Sequence, residues 1–586
     1  MRSLVSTLVP TILPWSLKTL ISRLLVATLA VFAHAAPTPD PEPVPLTAKE
    51  LAQGFRERVI LARPHASRRA TADAEEAHDG IRVREKFLRF RELRIIELDQ
   101  SDNAERAIAR LRATGRYEFV EPDYIRHLAV EPNDPRFTDG SLWALKNTGL
   151  NNGIPGSDIQ ATAAWDIIRE APNVIVAVVD SGVNLTHQDL AGNLWTNPAP
   201  TFGDVNGARF INGAQSGNPA DDNGHGTHVA GTIGAIGDNN LGVTGVAWRV
   251  QIMAIKVFPA SGRGTVSDIA RGINYAVAHG AHIINASYGE TGSTGFSLAE
   301  FSAITAAREA GVIFVAAAGN AAANMDVSRF YPASHALDNI VTVGASGRRD
   351  EAALFSNYGS AVDLFAPGSE IVSLTQTSNT GTTTRSGPSM AAPHVTGALA
   401  LLKPRFPADN YRQLLNRILR GSEPGGSLAG KSQTNGRLNV LNALLTANDP
   451  DGNRPFNDRF ADRPHLTGAN LALRASNAGA TAEPGEPAHA GGTPGASIWW
   501  EWTAPTSGSV SVNTAGSTYD TVLAVYASPG PSAPVAPGGL TAVAANDDNA
   551  GATSSRLSFT AQAGVTYQIA VDGKPGQTGL TLLNLG

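Results

Sequence analysis

The sequence predicts an α/β protein built around a parallel sheet, with a small α+β unit before it and an all-β sandwich after it. Three observations carry this reading. Between residues 131 and 446 lie the short continuous apolar runs "VIVAVVD", "IMAIKVF", "HIINAS", "VIFVAAAGN" and "IVTVGA", the pattern of strands buried on both faces. Between them, "VSDIARGINYAVAHG" and "SLAEFSAITAAREAG" carry apolar residues at helical spacing and end at a glycine. Beyond 446 the helical pattern stops, and alternating strands such as "GSVSVNT", "TVLAVYA" and "RLSFTA" are spaced by Gly/Ser/Pro turns, as in an antiparallel sandwich.

Taken in order, residues 1–35 read as a secretory signal. Arg2, Lys18 and Arg23 precede the apolar stretch Leu24 to Phe32, and Ala33-His34-Ala35 offers an A-x-A cleavage site. A membrane anchor is the alternative, but a span needs about 20 apolar residues. Residues 36–130 open on the Pro-rich connector "PTPDPEPVPL" and become charge-dense. There "RVILARP" and "LRIIELD" read as strands, "NAERAIARLRAT" as a helix, and "YEFVEPDYIRHL" follows, which together make a small α+β unit. Residues 131–446 hold the parallel sheet. The turn-rich 447–456 is a linker, and 457–586 form the sandwich.

A chain of 586 residues suggests about three or four domains. Neither the charged fraction of 17% nor the net charge of −6 argues for a polyanion partner, and no nucleic-acid partner is expected. Cysteine is absent, which excludes disulfides and Cys-ligated metals. Bound calcium is one other source of rigidity.

Four residues stand where chemistry would be placed. Asp180 ends the run "VIVAVVDSG"; strand carboxyl ends form ligand sites in open parallel sheets, and a carboxylate there can orient a base. A turn aspartate is the plainer reading. His225 begins "HGTHVAGTIGAIG". His225 and His228 at i, i+3 could be a metal pair, but no H-E-x-x-H pattern accompanies them. Asn320 ends "VIFVAAAGN", where an amide NH2 can donate to a developing oxyanion; alternatively it is a turn residue. Ser389 opens the helical segment "MAAPHVTGALALL", which turns its backbone N–H and the positive end of the helix dipole toward an anion. A simple N-cap is the alternative.

The order Asp180, His225, Ser389 is one of the known orders of a catalytic triad. The segments "VVDSGVNLTHQDL", "DDNGHGTHVAGT", "AAAGN" and "GPSMAAPHVTG" resemble the subtilisin-like serine proteases, over about 131–446. The resemblance implies a secreted endopeptidase acting on protein or peptide substrates, with Asp180, His225 and Ser389 as triad and Asn320 as side-chain oxyanion donor. It implies that Gly262-Arg263-Gly264 and Ser287-Tyr288-Gly289 hold the substrate as an extended strand. Ala317, Ala318 and Gly319 line the first pocket, and Phe330 narrows it. Thermitase-like members also imply structural Ca2+, here on Asp134, Asp189, Asn239 and the carbonyls of Ile236, Leu241 and Val243.

The segment "RLRATGRYEFVEPDYIRHL" resembles the inhibitory propeptide of the same family, cut near 128–133. This chain would then be a self-processing preproenzyme, inhibited by its own propeptide and monomeric when mature, with no stable membrane insertion. The last 130 or so residues resemble the bacterial pre-peptidase C-terminal domain, in "FNDRFADRPHLTG", "SIWWEWTAP" and "STYDTVLAVY". Ile498, Trp500 and Trp502 share one strand face, either as sandwich core or as a carbohydrate-binding stripe. The turn "AANDDNA" is a candidate second calcium site.

One position departs from the family pattern. Pro388 stands before Ser389, where most members have Thr in "GTSMA". Two rival readings follow. A catalytically impaired, peptide-binding scaffold is prompted by Pro388. An esterase is prompted by Gly387-Pro388-Ser389-Met390-Ala391, but that hydrolase order needs its Asp and His after the Ser.

Overall fold

A computed structural model describes residues 55–124, 131–292, 295–445, 453–528 and 536–586. The predicted signal peptide, the Pro-rich connector, and parts of the 128–133 junction and the 447–456 linker lie outside the described residues. The chain divides into two compact units, Met1–Ile125 and Arg126–Gly586.

The first unit is a four-stranded antiparallel sheet in the order Arg82–Phe87, Leu93–Glu97, Phe55–Pro64, Tyr117–Tyr124. Ile60, Ile96, Ile108 and Val120 form its core. Helix Ala104–Ala113 begins where expected, with Asn103 accepting the Arg106 N–H at 2.9 Å. A second helix, Arg69–His78, has no counterpart among the predicted elements. It buries only Ala72 and Glu76, so it carries no apolar stripe. Glu76 is paired with the buried Arg94 at 3.2 Å.

The second unit is centred on a ten-stranded sheet. Its order is Glu423–Pro424, Gly436–Arg437, Leu364–Pro367, Ile340–Ser346, Ile313–Ala317, Ile283–Ala286, Glu170–Asp180, Arg249–Lys256, Gly207–Ile211, Ala214–Ser216. Every pairing is parallel except at the two edges. Alternate residues of the central strand feed opposite cores. Val176 and Val178 join Val229, Ala391 and Val395 on one face. Ala177 and Val179 join Ile269, Ile304 and Phe314 on the other. Both faces are covered by helices, so the strand is apolar throughout rather than alternating. Helices His225–Gly234 and Pro388–Arg405 lie on the first face; Val266–Ala278 and Leu298–Glu309 lie on the second.

The C-terminal part is a sandwich of one five-stranded and one four-stranded sheet. Ile498, Trp500 and Trp502 are fully buried in its core, so they present no stripe to a carbohydrate. At the acidic turn, carboxylate oxygens of Asp520, Asp547 and Asp548 lie within 4.8 Å of one another, and Lys574 Nζ lies 3.3–3.5 Å from the three. Arg474 is one of several residues that join the sandwich to the parallel-sheet domain, beside Arg420–Asp462 and Asn435–His465. Its guanidinium donates to the carbonyls of Ala333, His335 and Ile340 and reaches Asp363 Oδ2 at 2.8 Å.

Candidate active site

The carboxyl ends of three adjacent strands open into one cleft of about 900 Å³. Asp180 ends the central strand, Ser287–Gly289 follow Ile283–Ala286, and Gly319 and Asn320 follow Ile313–Ala317. His225 and Ser389 reach the same cleft from two helix N-termini. The predicted residues therefore converge from positions up to 209 apart in sequence, counting from Asp180 to Ser389.

The imidazole is held by the carboxylate. His225 Nδ1 lies 2.8 Å from Asp180 Oδ1 and 3.0 Å from Oδ2. Burial pulls the imidazole pKa down, and the charge and hydrogen bond of Asp180 more than offset this, so it stands above its ordinary value. The carboxylate is almost wholly buried and also accepts the Ser181 N–H at 2.7 Å.

The glycines and acids of "DDNGHGTH" each have a place. Asp221 accepts the N–H groups of Gly224 and Thr227 at 2.9 and 3.0 Å, closing the first turn of the His225 helix. Gly226 must be glycine, since a Cβ there would lie 2.1 Å from the Gly182 carbonyl. Lys256 is buried and donates from Nζ to the Ser181 carbonyl at 2.6 Å, bracing the turn after Asp180. Asp221 and Lys256 were not singled out in sequence. An N-cap signature before "HGTH" could have flagged Asp221; Lys256 offers no such signal.

His228 is no partner of His225 in a metal site. It is fully buried, its Nε2 faces the Ile371 carbonyl at 3.0 Å, and burial pushes it down to about 3. His394 cannot serve an esterase-like arrangement either: its Nδ1 faces the Met390 carbonyl in the core, and burial lowers it to about 4.

Ser389 is the second residue of its helix, where a backbone N–H has no intrahelical acceptor. Its hydroxyl donates to the Ser287 carbonyl at 3.0 Å, and Ser287 Oγ donates back to the Ser389 carbonyl at 3.0 Å. Among the described residues no hydrogen bond joins Ser389 to His225. Nucleophile–base bonds are often unformed without substrate. A Cβ on Gly387 would lie 3.2 Å from Asn320 Oδ1, 3.7 Å from Asn320 Nδ2 and 3.7 Å from Ser389 N, so the Asn320 amide and the Ser389 backbone nitrogen both lie beside Gly387.

Pro388 is accommodated. It occupies the first helical position, where the missing N–H is an orphan in any residue and φ is already suited. Gly387 has φ 152° and ψ 160°, a region essentially confined to glycine. Its extended ψ suits a following proline. We expect Pro388→Thr to change kcat by no more than about tenfold, about 1.4 kcal/mol, measured on one peptide with titrated active sites. A parent that forms no acyl-enzyme, with full turnover restored by Thr, would favour the impaired scaffold.

Of the predicted substrate residues, Gly262, Arg263, Gly264, Ser287, Tyr288, Gly289, Ala317, Gly319 and Phe330 line the cleft. Ala318 does not. It is fully buried in the second core, with its N–H on the Val343 carbonyl and its carbonyl on Asn357 Nδ2. Extended chain sends alternate residues to opposite sides, so Ala317 and Gly319 face the cleft and Ala318 faces away. Glu300 also lines the cleft, unforeseen because it reads as an ordinary first-turn helix acid.

The predicted cation ligands also gather. Asp134 and Asp189 are 0% and 1% exposed, and among the described residues neither is ion-paired with a Lys or Arg. Asp134 accepts the Asp238 N–H at 2.8 Å; Asp189 accepts the Val243 N–H at 2.9 Å and Asn239 Nδ2 at 2.8 Å. Burial, with a smaller contribution from the Asp134 charge, pushes Asp189 up to about 7. Asn239 thus turns its NH2, not its carbonyl oxygen, toward Asp189, while Oδ1 accepts the Leu241 N–H at 2.8 Å. Two buried carboxylates facing one loop, with no cation from the chain, are a donor set that fits a hard divalent cation.

A doubly wound parallel sheet with a histidine hydrogen-bonded to a buried aspartate and a helix-borne serine in one cleft defines a serine hydrolase. The family model for the subtilase family matches residues 171–442. A thermophilic serine proteinase of Bacillus sp. (strain AK1) is 35% identical over 349 residues, 59% of this chain and 76% of that protein. Thermitase of Thermoactinomyces vulgaris is 38% identical over 315 residues, 53% of this chain and 99% of that protein. A solved structure titled as proteases from Pseudoalteromonas arctica PAMC 21717 aligns at 28% identity and TM-score 0.46, covering 54% of this chain and all of that one. The chain belongs to the subtilase family and is a subtilisin-like serine endopeptidase.

Proposed function

We propose that this endopeptidase acts through an acyl-enzyme on Ser389, and that it is secreted and matures by cutting itself. The observation that supports the catalytic roles is the hydrogen-bonded Asp180–His225 pair opening on the same cleft as Ser389. A substrate strand lying along Ser287–Gly289 offers its own N–H to the Ser287 carbonyl. The Ser389 hydroxyl then turns from that carbonyl toward His225 Nε2.

His225 takes the hydroxyl proton as Oγ bonds to the scissile carbon. Asp180 holds the Nδ1–H and stabilises the imidazolium. The negative oxygen lies between the Asn320 NH2 and the Ser389 N–H. Collapse breaks the C–N bond, and the leaving amine takes the proton from Nε2. Water, deprotonated by the same imidazole, then frees the acid and restores Ser389. Casein hydrolysis blocked by a serine-directed phosphonate, with the label on Ser389, tests the assignment; hydrolysis without labelling sinks it.

The separate compact unit ending at Ile125 supports a propeptide that folds independently and is cut just after it. The C-terminal sandwich is assigned to the pre-peptidase C-terminal type. Secretion rests on the 1–35 segment, and the mature enzyme is read as a monomer.

We also propose a structural Ca2+ held by the Asp134 and Asp189 carboxylates, the Asn239 side-chain oxygen once its amide has turned over, and the Ile236, Leu241 and Val243 carbonyls. When bound it supplies charge compensation and rigidity. None of these residues lines the cleft, so chelation should lower the melting temperature before it affects chemistry. A cation that binds only the native state stabilises by about 2.7 kcal/mol at 100-fold excess over Kd. A melting temperature unchanged by EDTA, with Asp189→Ala equally silent, argues against the site.

A further inference from the structure

The first pocket is occupied by one of the protein's own side chains. A Cβ on Gly289 would lie 2.3 Å from Cε1 and 2.6 Å from Cζ of the Phe330 ring. A Cβ on Gly319 would lie 2.9 Å from Cδ2 and 3.0 Å from Cε2 of the same ring. Opposite edges of one ring therefore touch the two glycine walls between which a substrate side chain would enter. The ring is anchored. Phe330–Tyr331 pairs with Glu290–Thr291, and the Phe330 N–H and carbonyl are both bonded to Ser334, at 3.1 and 2.8 Å.

Glu300 lines the same cleft and is 4% exposed. Among the described residues its carboxylate has no Lys or Arg partner. It faces His335 Nε2 at 3.3 Å, and after burial its charge is the largest influence holding the Tyr288 phenol well above its ordinary pKa. A nearly buried carboxylate without a Lys or Arg partner can take an ammonium or guanidinium as its counter-charge, and Tyr288 lines the same cleft beside it.

Resting on the peptidase reading above, we propose that Phe330 is the specificity-determining residue of this enzyme. Its ring limits the residue before the scissile bond to Gly, Ala or Ser, and Glu300 is the charge that meets a longer side chain once the ring is removed.

The test is a series of peptide amides differing only at that residue, assayed with the full-length-derived mature enzyme and with Phe330→Ala and Phe330→Ala/Glu300→Gln. Rates are normalised by titration with an alanyl phosphonate, which removes any misfolded fraction. The parent should favour Ala over Phe, Leu and Lys by at least about 100-fold in kcat/KM. Phe330→Ala should raise Lys and Arg relative to Ala by about 100-fold, and adding Glu300→Gln should remove at least about tenfold of that gain while leaving the gain for Leu. A parent that cleaves after Phe or Lys as readily as after Ala overturns the plug. A Phe330→Ala form that gains Leu but not Lys overturns the role of Glu300. If the phosphonate labels nothing, the peptidase reading itself fails; labelled enzyme with a flat profile fails only this proposal.

Discussion

Ser389→Ala should lower kcat by about 10⁶-fold, the loss seen in a subtilisin, a member of the same family. The substitution removes one oxygen and leaves everything that surrounds it. The His225–Asp180 pair stays at 2.8 Å, and the Asn320 amide and the residue-389 N–H still flank Gly387. What remains is binding and oxyanion stabilisation without an attacking group, worth about 10³–10⁴-fold over water. His225→Ala should cost about as much, because a hydroxyl without its base is no better than no hydroxyl. Both variants should also accumulate as uncut precursor. The measurement is turnover of one peptide by purified precursor and mature forms, with gel analysis of the junction near 128–133. Near-normal cleavage by Ser389→Ala would end the assignment of Ser389, and normal maturation of that variant would end the self-processing reading.

The parallel sheet was legible because burial on both faces leaves an unbroken apolar run, and Val174 to Asp180 is such a run. The strand Gly207–Ile211 left no such trace. It is short, and it begins at a glycine whose Cβ would lie 1.9 Å from the Ala254 carbonyl. Helix Arg69–His78 was hidden for a related reason: it buries an ion-paired Glu76 where an apolar stripe would be read. In the site, Asp180, Asn320 and Ser389 were legible because each sits where an element starts or stops. Ala318 lies in the core beside the cleft rather than among its lining residues, because pocket lining depends on side-chain parity, which a motif does not state. Glu300 and Lys256 act on partners from other elements: Glu300 on Tyr288 and His335, Lys256 on the turn after Asp180. Their roles exist only once the sheet has brought those elements together.

Arg474→Met should cost about 3–5 kcal/mol, the range for removing one partner of a buried ion pair. Arg474 comes from the sandwich strand Leu471–Ser476 and is almost fully buried in the parallel-sheet domain. Its guanidinium serves three carbonyls, of Ala333, His335 and Ile340, and the Asp363 carboxylate. Methionine fills much of the volume but donates to none of them. Asp363 is then left with the Thr342 N–H and Gln433 Nε2. Burial already holds its pKa up against the opposing pull of Arg474, so the unpaired carboxylate would protonate or draw in water. Adding Asp363→Asn removes that stranded charge, and the double variant should recover at least about 1 kcal/mol. The sandwich would also lose one of its anchors, which predicts release of a C-terminal fragment beginning near 453 under limited proteolysis. The measurements are thermal melting of parent, single and double variants, and the time course of that fragment. An Arg474→Met protein that melts with the parent and resists cleavage equally would show that the domains are held by their other contacts, among them Arg420–Asp462 and Asn435–His465, and not by this pair.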